Sequence, residues 1–290
     1  MTKRQWQNIG PRTEPPAAEY THIPDDTLRA RMAGYKFYHI IPLTETLSTP
    51  GNPLYVPAQQ LFLKHMRTLD LAGKRVLDIG CRDGLFSFEA EKLGAQVIGI
   101  DNDLSKPAVE FLIPYFHSSV QMFEMNLLEL TPDHFGRFDV VLFPGVLYHL
   151  RYPFWALQII RNILKVGGVL LTETAIWNEE NDNALLFCPS GQDSPYEPSS
   201  CTFFNVKGLV DTLAVMGFET TTVEPLSSQS FSRRRRQLFA RIQMFLNGKR
   251  PPIRNVERCV FVSRFVGVDP TSRYWRYWEG NHAIHTAVGG

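Results

Sequence analysis

The run Val76-Leu77-Asp78-Ile79-Gly80-Cys81-Arg82-Asp83-Gly84, followed closely by Val97-Ile98-Gly99-Ile100-Asp101, constrains this chain more than any other stretch. Each apolar run ends in an acidic residue or in glycine, and an apolar and charged segment of helical composition, 85–93, lies between them. Short apolar runs joined by a helix form a βαβ unit, which makes the two strands parallel. Glycines at the first strand's exit allow a tight turn and a close backbone approach to a ligand. Asp101 stands at the carboxyl end of the second strand, where it can accept hydrogen bonds from both hydroxyls of a ribose. The pattern predicts a cofactor-binding α/β enzyme; a plain strand-to-helix turn is the alternative for the glycine turn taken alone.

Dinucleotide enzymes use G-x-G-x-x-G so that a helix N-terminus meets a pyrophosphate. Here the spacing is Asp78-x-Gly80-x-x-x-Gly84, which puts a carboxylate where a phosphate would be repelled. A carboxylate at that point suits the ammonium group of an amino-acid-bearing nucleoside such as S-adenosylmethionine. The segment resembles the first motif of class I S-adenosylmethionine-dependent methyltransferases. Two later segments extend the resemblance over roughly residues 70 to 265: Phe138-Asp139-Val140-Val141-Leu142-Phe143-Pro144-Gly145-Val146-Leu147-Tyr148-His149-Leu150, like the fourth strand and its loop, and Leu164-Lys165-Val166-Gly167-Gly168-Val169-Leu170-Leu171, like the turn into the fifth. Within the class, Gly145-Val146-Leu147-Tyr148-His149, Leu171-Thr172-Glu173-Thr174 and Phe203-Phe204-Asn205 resemble the family that includes the bacterial tRNA wobble-uridine carboxymethyltransferase.

The resemblance implies cofactor contacts at Asp78, Gly80, Arg82, Gly84, Asp101 and Asn102, adenine contacts at Asn126 and Leu127, and a further wall at Pro144. In the carboxymethyltransferase family a Tyr of the Leu-Tyr-His loop and an Arg opening the last strand hold the extra carboxylate of a carboxylated donor; Tyr148 and Arg258 match these positions. A Lys that assists there has no secure counterpart at Lys36. The usual glycine after the cysteine is Arg82, and the N-terminal region is much shorter than in that tRNA enzyme. Many small-molecule methyltransferases carry a related segment with Tyr-His and Thr-Pro-Gly, here Tyr38-His39 and Thr49-Pro50-Gly51.

Methyl transfer from a sulfonium is an in-line displacement, so the protein chiefly holds the reactants at near-attack distance and excludes water. A base is needed only where the nucleophile carries a proton. His149, just past the fourth strand, is the candidate base or acceptor-orienting group, with loop bracing as its structural alternative. His39 is a candidate catalytic residue or part of a lid over the cofactor, against simple packing, and Tyr38 is a candidate substrate contact. Glu173 is either an acceptor contact or half of an ion pair.

Alternating elements predict a doubly wound, mostly parallel seven-stranded sheet with N- and C-terminal appendages. Strands are expected at 75–80, 96–101, 119–125, 138–143, 168–174, 219–225 and 258–265, and helices at 57–69, 85–93, 104–114, 153–164 and 205–216. The expected division is an arm and lid over 1–56, a methyltransferase domain over 57–267 and an aromatic tail over 268–290. At 290 residues and 44% hydrophobic the chain can bury a sizeable core. No apolar run of membrane-spanning length and no signal-peptide pattern occur in it, so the expected location is cytoplasmic, without membrane partners. Four scattered cysteines without C-x-x-C spacing give no reason to expect a metal or a disulfide framework. A net charge of +1 makes no global case for nucleic acid. The expected partner is a small-molecule substrate, with tRNA second and a homodimer possible. Arg233-Arg234-Arg235-Arg236 is either a phosphate contact or a solvated helix start, and Tyr274-Trp275-Arg276-Tyr277-Trp278 either a stacking surface or tail packing.

Overall fold

A computed structural model of the chain describes residues 23–178, 183–229 and 255–269. The polar N-terminal stretch before residue 23, the Arg233–Arg236 run and the Tyr274–Trp278 cluster lie outside the described residues.

The apolar runs become strands β1 (Arg75–Ile79), β2 (Gln96–Asp101), β3 (Gln121–Glu124), β4 (Phe138–Pro144) and β5 (Leu164–Trp177). A two-residue ribbon, β6 (Leu186–Phe187) with β7 (Phe203–Phe204), precedes β8 (Phe218–Pro225) and β9 (Val256–Phe265). The main sheet has seven strands in the order β3-β2-β1-β4-β5-β9-β8. All pairs from β3 to β5 are parallel, and β9 runs antiparallel to both β5 and β8. This is the doubly wound, mostly parallel seven-stranded sheet expected from the alternation.

Strands buried on both faces read as continuous apolar runs, and β4, with six of seven residues buried, is one. Helices α2 (Val56–Met66) and α3 (Leu85–Lys92) share one core cluster; α6 (Pro153–Ile163) and α7 (Val206–Val215) share the other. In α6, Ala156, Leu157, Ile160 and Ile163 fall on one stripe and are fully buried. Among the described residues no helix is long and apolar enough to cross a membrane.

A short helix leading into the fold and two departures from the expected elements have local causes. Helix α1 (Asp25–Met32) follows Pro24, carries Asp25 and Asp26 in its first turn and Arg29 and Arg31 in its last, and buries Leu28 and Met32 in the first core cluster. Ile41 and Leu47 join that cluster, so the segment before α2 packs as part of the core. The helix expected over 104–114 is a wide π turn over Ala108–Leu112 that runs into α4 (Ile113–Phe116). Pro114 has no N–H to close the ordinary turn there. The short helix α5 (Pro132–Phe135), unforeseen, is closed by a capping box between Thr131 and His134.

Candidate active site

The carboxyl ends of β1 to β5 lie on one edge of the sheet, and because β9 is antiparallel its first residues arrive at the same edge. Every candidate site residue except the lid residues Tyr38 and His39 sits at or just past that edge.

At the first crossover the chain leaves β1 through Gly80 at φ +78°, Arg82 at φ +44° and Gly84 at φ +85°. A Cβ on Gly80 would lie 2.3 Å from Val146 Cγ2, and one on Gly84 2.5 Å from Met122 Cε. These glycines are required by left-handed backbone and by protein packing, not only by the close ligand approach that the sequence suggests. Gly80 N–H donates to the Ile100 carbonyl at 2.8 Å, which locks the turn beside the end of β2. Asp101 accepts from the Arg82 N–H at 3.0 Å and the Asp103 N–H at 2.9 Å, one on each oxygen. Each oxygen keeps acceptor capacity for a further donor. Burial pushes the Asp101 pKa up, against the two backbone hydrogen bonds. Arg82 reaches away from the turn and pairs with Asp103 at 2.7 Å. Asn102 is exposed beside it.

Asp78 is fully buried, and its Oδ2 accepts from Ser87 Oγ at 2.6 Å. Its Oδ1 finds no hydrogen-bond partner among the described residues. Burial raises its pKa to about 7. An orphaned carboxylate oxygen beneath a glycine turn, with a second carboxylate at the next strand end, fits a ligand that brings a cation and a diol. Asn126, exposed past β3, caps the turn over Leu127–Glu129 with its side chain on the Leu128 N–H, while Leu127 is buried.

The other half of the edge gathers distant residues. Arg258, from β9, is bidentate on Glu173 of β5 through Nε and Nη2. Its Nη1 donates to the hydroxyls of Tyr148, at 3.2 Å, and Tyr196, at 3.0 Å. The guanidinium lies 4.9 Å from the Tyr148 ring centre and 5.9 Å from that of Tyr196. Burial opposes the charge on Arg258, but Glu173 and the two phenols outweigh it and keep it ionised. Glu173, weighed between acceptor contact and ion pairing, is an ion-pair partner with 2% exposure. Each phenol oxygen accepts from Arg258 and has no acceptor for its own proton among the described residues, so two O–H donors remain available there. Tyr148 is 3% exposed, and burial drives its pKa up. Gly145, at φ +71°, passes so close that a Cβ would lie 3.4 Å from Arg258 Nη2. Pro144, the last residue of β4, is buried beside it.

His149 Nδ1 faces the Ser199 carbonyl at 3.3 Å and its Nε2 faces Glu197 Oε1 at 3.3 Å. Burial holds its pKa below the ordinary value, with Ser199 and Glu197 opposing. It therefore joins the loop after β4 to the loop before β7.

Tyr38 and His39 lie in the segment before α2, where the His39 N–H donates to Asp83 at 2.8 Å. Tyr38 stacks on Tyr55 with ring centres 4.8 Å apart. Burial first, and then Tyr55, push its pKa up to about 12, with Arg258 acting against them. Its hydroxyl thus shares a field with Arg258, Tyr196 and Glu197. His39 is 4% exposed, packs edge-on against Phe86, and is held neutral by burial with a pKa of about 4. Lys36 is exposed. Sequence reasoning missed Asp83, Tyr196 and Glu197. Asp83 could have been found as an acidic residue inside the glycine turn; Tyr196 and Glu197 lie in a loop with no periodic signal.

Residues 57–223 match a family model described as a methyltransferase domain. Among curated proteins, a tRNA U34 carboxymethyltransferase of Helicobacter hepaticus is 29% identical over 174 residues, covering 55% of this chain and 53% of that protein. Another tRNA U34 carboxymethyltransferase, of Campylobacter hominis, is 33% identical over 120 residues, covering 41% and 42%. The chain spans about half the length of the curated relatives it matches. Among solved structures, the N-terminal domain of EvdMO1 with SAH and D-fucose superposes with a TM-score of 0.59 at 16% identity, covering 84% of this chain and 99% of that one. The [4+2]-cyclase SpnF superposes with a TM-score of 0.52 at 20% identity, covering 82% and 92%. At these identities the likeness is one of fold.

Proposed function

From the premise that this chain belongs to the methyltransferase-domain family, we propose that it transfers a methyl group from S-adenosylmethionine to an oxygen, nitrogen or sulfur atom of a small polar molecule. S-adenosylmethionine is the cofactor the family implies, and it supplies a methyl group made electrophilic by its sulfonium. The observation that carries the reading is a pairing along one edge of the sheet: the buried carboxylates of Asp78, with an oxygen that has no partner among the described residues, and Asp101, on the same edge as the Tyr148 and Tyr196 hydroxyls gathered on Arg258.

In this reading Asp101 accepts from the ribose hydroxyls and Asp78 meets the ammonium. Gly80 and Gly84 shape the turn with Arg82 and Asn102 at its rim, Asn126 and Leu127 border adenine, and Pro144 lines the floor. The recess holds the acceptor, and the lid segment excludes water. His149 accepts a proton where the nucleophile carries one, with Glu197 beside its Nε2. Tyr38 and His39 belong to the wall. Glu173 acts by keeping Arg258 in place, and Arg258 acts through the two phenols whose hydroxyls it orients.

A second reading, modification of the tRNA wobble uridine by methyl or carboxymethyl transfer, is supported by the curated relatives and by Tyr148 lying within 3.2 Å of Arg258. Two O–H donors backed by a cation suit a carboxylate on the donor.

Incubation with methyl-labelled S-adenosylmethionine and an extract of the source cell, followed by separation of small molecules from RNA and protein, decides between them. Label among small molecules is expected; label in RNA overturns the first reading in favour of the second. With the acceptor in hand, His149→Ala is expected to lower turnover by about 10²-fold. Near-normal turnover removes His149 from the chemistry.

A further inference from the structure

Asp83 is 2% exposed in the turn between β1 and α3. A buried carboxylate so placed must be compensated by donors, and Asp83 has three. Its Oδ2 accepts from the main-chain N–H groups of Tyr38 and of His39, the latter at 2.8 Å, and its Oδ1 accepts from Ser105 Oγ at 2.5 Å. The His39 ring adds no hydrogen bond: its Nδ1 lies 4.0 Å from Oδ2. None of the three donors belongs to the glycine turn itself. Tyr38 stands 45 residues upstream, and Ser105 follows β2.

The segment that Asp83 grips is braced from behind. Thr49 Oγ1 donates to the His39 carbonyl at 2.6 Å and accepts from the Ile41 N–H at 2.8 Å. The Asn52 N–H donates to the Tyr38 carbonyl at 3.2 Å. A Cβ on Gly51 would fall 2.1 Å from the His39 carbonyl carbon, so the Thr49-Pro50-Gly51 turn lies directly against the 39–40 peptide. The amides of residues 38 and 39 are thus pinned between Asp83 in front and this turn behind. The Tyr38 ring carried by this peptide stacks on Tyr55, lies 6.0 Å from the Arg82 guanidinium of the glycine turn, and has its hydroxyl within the electrostatic influence of Arg258, Tyr196 and Glu197.

We infer that Asp83 is a positioning residue that couples occupancy of the glycine turn to the placement of Tyr38 in the acceptor recess. The inference rests on the reading of Gly80–Gly84 as the S-adenosyl site. A ligand seated on the turn fixes Asp83, Asp83 fixes the 38–39 amides, and the acceptor wall becomes ordered; by linkage, whatever loosens that wall weakens the ligand to the same degree.

S-adenosylhomocysteine is the probe, with affinity read by calorimetry and the 38–41 amides read by hydrogen exchange. Wild type is expected to bind it and to slow exchange at those amides. Asp83→Asn keeps an oxygen for the two amides and an NH₂ for Ser105, so it should stay within about threefold of wild type, whereas Asp83→Ala should lose about tenfold or more in affinity and all ligand-induced protection at 38–41. An Asp83→Ala protein with wild-type affinity and intact protection overturns the inference. If Asp83→Ala does not fold, Thr49→Val loosens the brace from the other side and should also abolish the ligand-induced protection; unchanged protection in Thr49→Val overturns the inference as well. If wild type binds no S-adenosylhomocysteine, the cofactor reading falls, and exchange without ligand still tests the bracing: equal rates at 38–39 in wild type and Asp83→Ala overturn it.

Discussion

The two halves of the crevice handle buried charge in opposite ways. Along β1 and β2, Asp78 and Asp101 are carboxylates pushed up in pKa by burial, and Asp78 keeps one oxygen without a partner. Along β5 and β9, Glu173 and Arg258 neutralise each other, and the remaining guanidinium edge is taken by two phenols. One half keeps a carboxylate oxygen without a partner among the described residues. The other is complete in itself and presents hydroxyls instead of charge. In the proposed reading the first half takes a cationic, diol-bearing donor and the second recognises an acceptor by shape and hydrogen bonding.

The comparison breaks most visibly at Arg258. Arg258→Met strands Glu173 at 2% exposure and should cost about 3–5 kcal/mol in chemical denaturation. The double variant Arg258→Met with Glu173→Gln should recover much of it, and a single-variant loss below about 1 kcal/mol would contradict a self-compensated half. Gly80→Ala tests the incomplete half through its backbone. The left-handed φ and the approach to Val146 predict about 1–3 kcal/mol of destabilisation, of which Val146→Ala should relieve only the steric part. A fully additive double variant would mean that the clash contributes nothing.

The finest test is titration of Asp78. Its folded pKa of about 7 lies above the ordinary 3.8, so between those values the folded state holds a proton the unfolded state has released. Stability should accordingly fall as pH rises through that window, and Asp78→Asn should flatten the slope. Affinity for S-adenosylhomocysteine should rise over the same window, since the ionised carboxylate meets the ammonium. An affinity independent of pH would separate Asp78 from the ligand.

How much of this was legible in the chain differs between the halves for a physical reason. The incomplete half is one continuous βαβ unit, and the needs of a tight turn are written in adjacent residues: Asp78, Gly80, Gly84 and Asp101 stand out by spacing alone. The complete half is assembled from β4, β5, β9 and two loops, and its side chains meet only after the sheet has formed. Tyr148 and Arg258 were identified through resemblance, and Tyr196 and Glu197 by nothing, because a loop residue carries no period. Asp83 was overlooked although it lies inside the quoted motif, since two of its three donors are main-chain groups of a distant segment, which leave no mark on residue type. Likewise Pro114 announced an interruption but not the π turn that absorbs it.

The reversed direction of β9 has a consequence for variation at the site. Because β8 and β9 are antiparallel, β8 ends and β9 begins at the same rim of the sheet, the rim on which β9 carries Arg258. Variation at the first residues of β9 therefore bears directly on the Arg258 cluster, while the Gly80–Gly84 turn stands apart at the exit of β1.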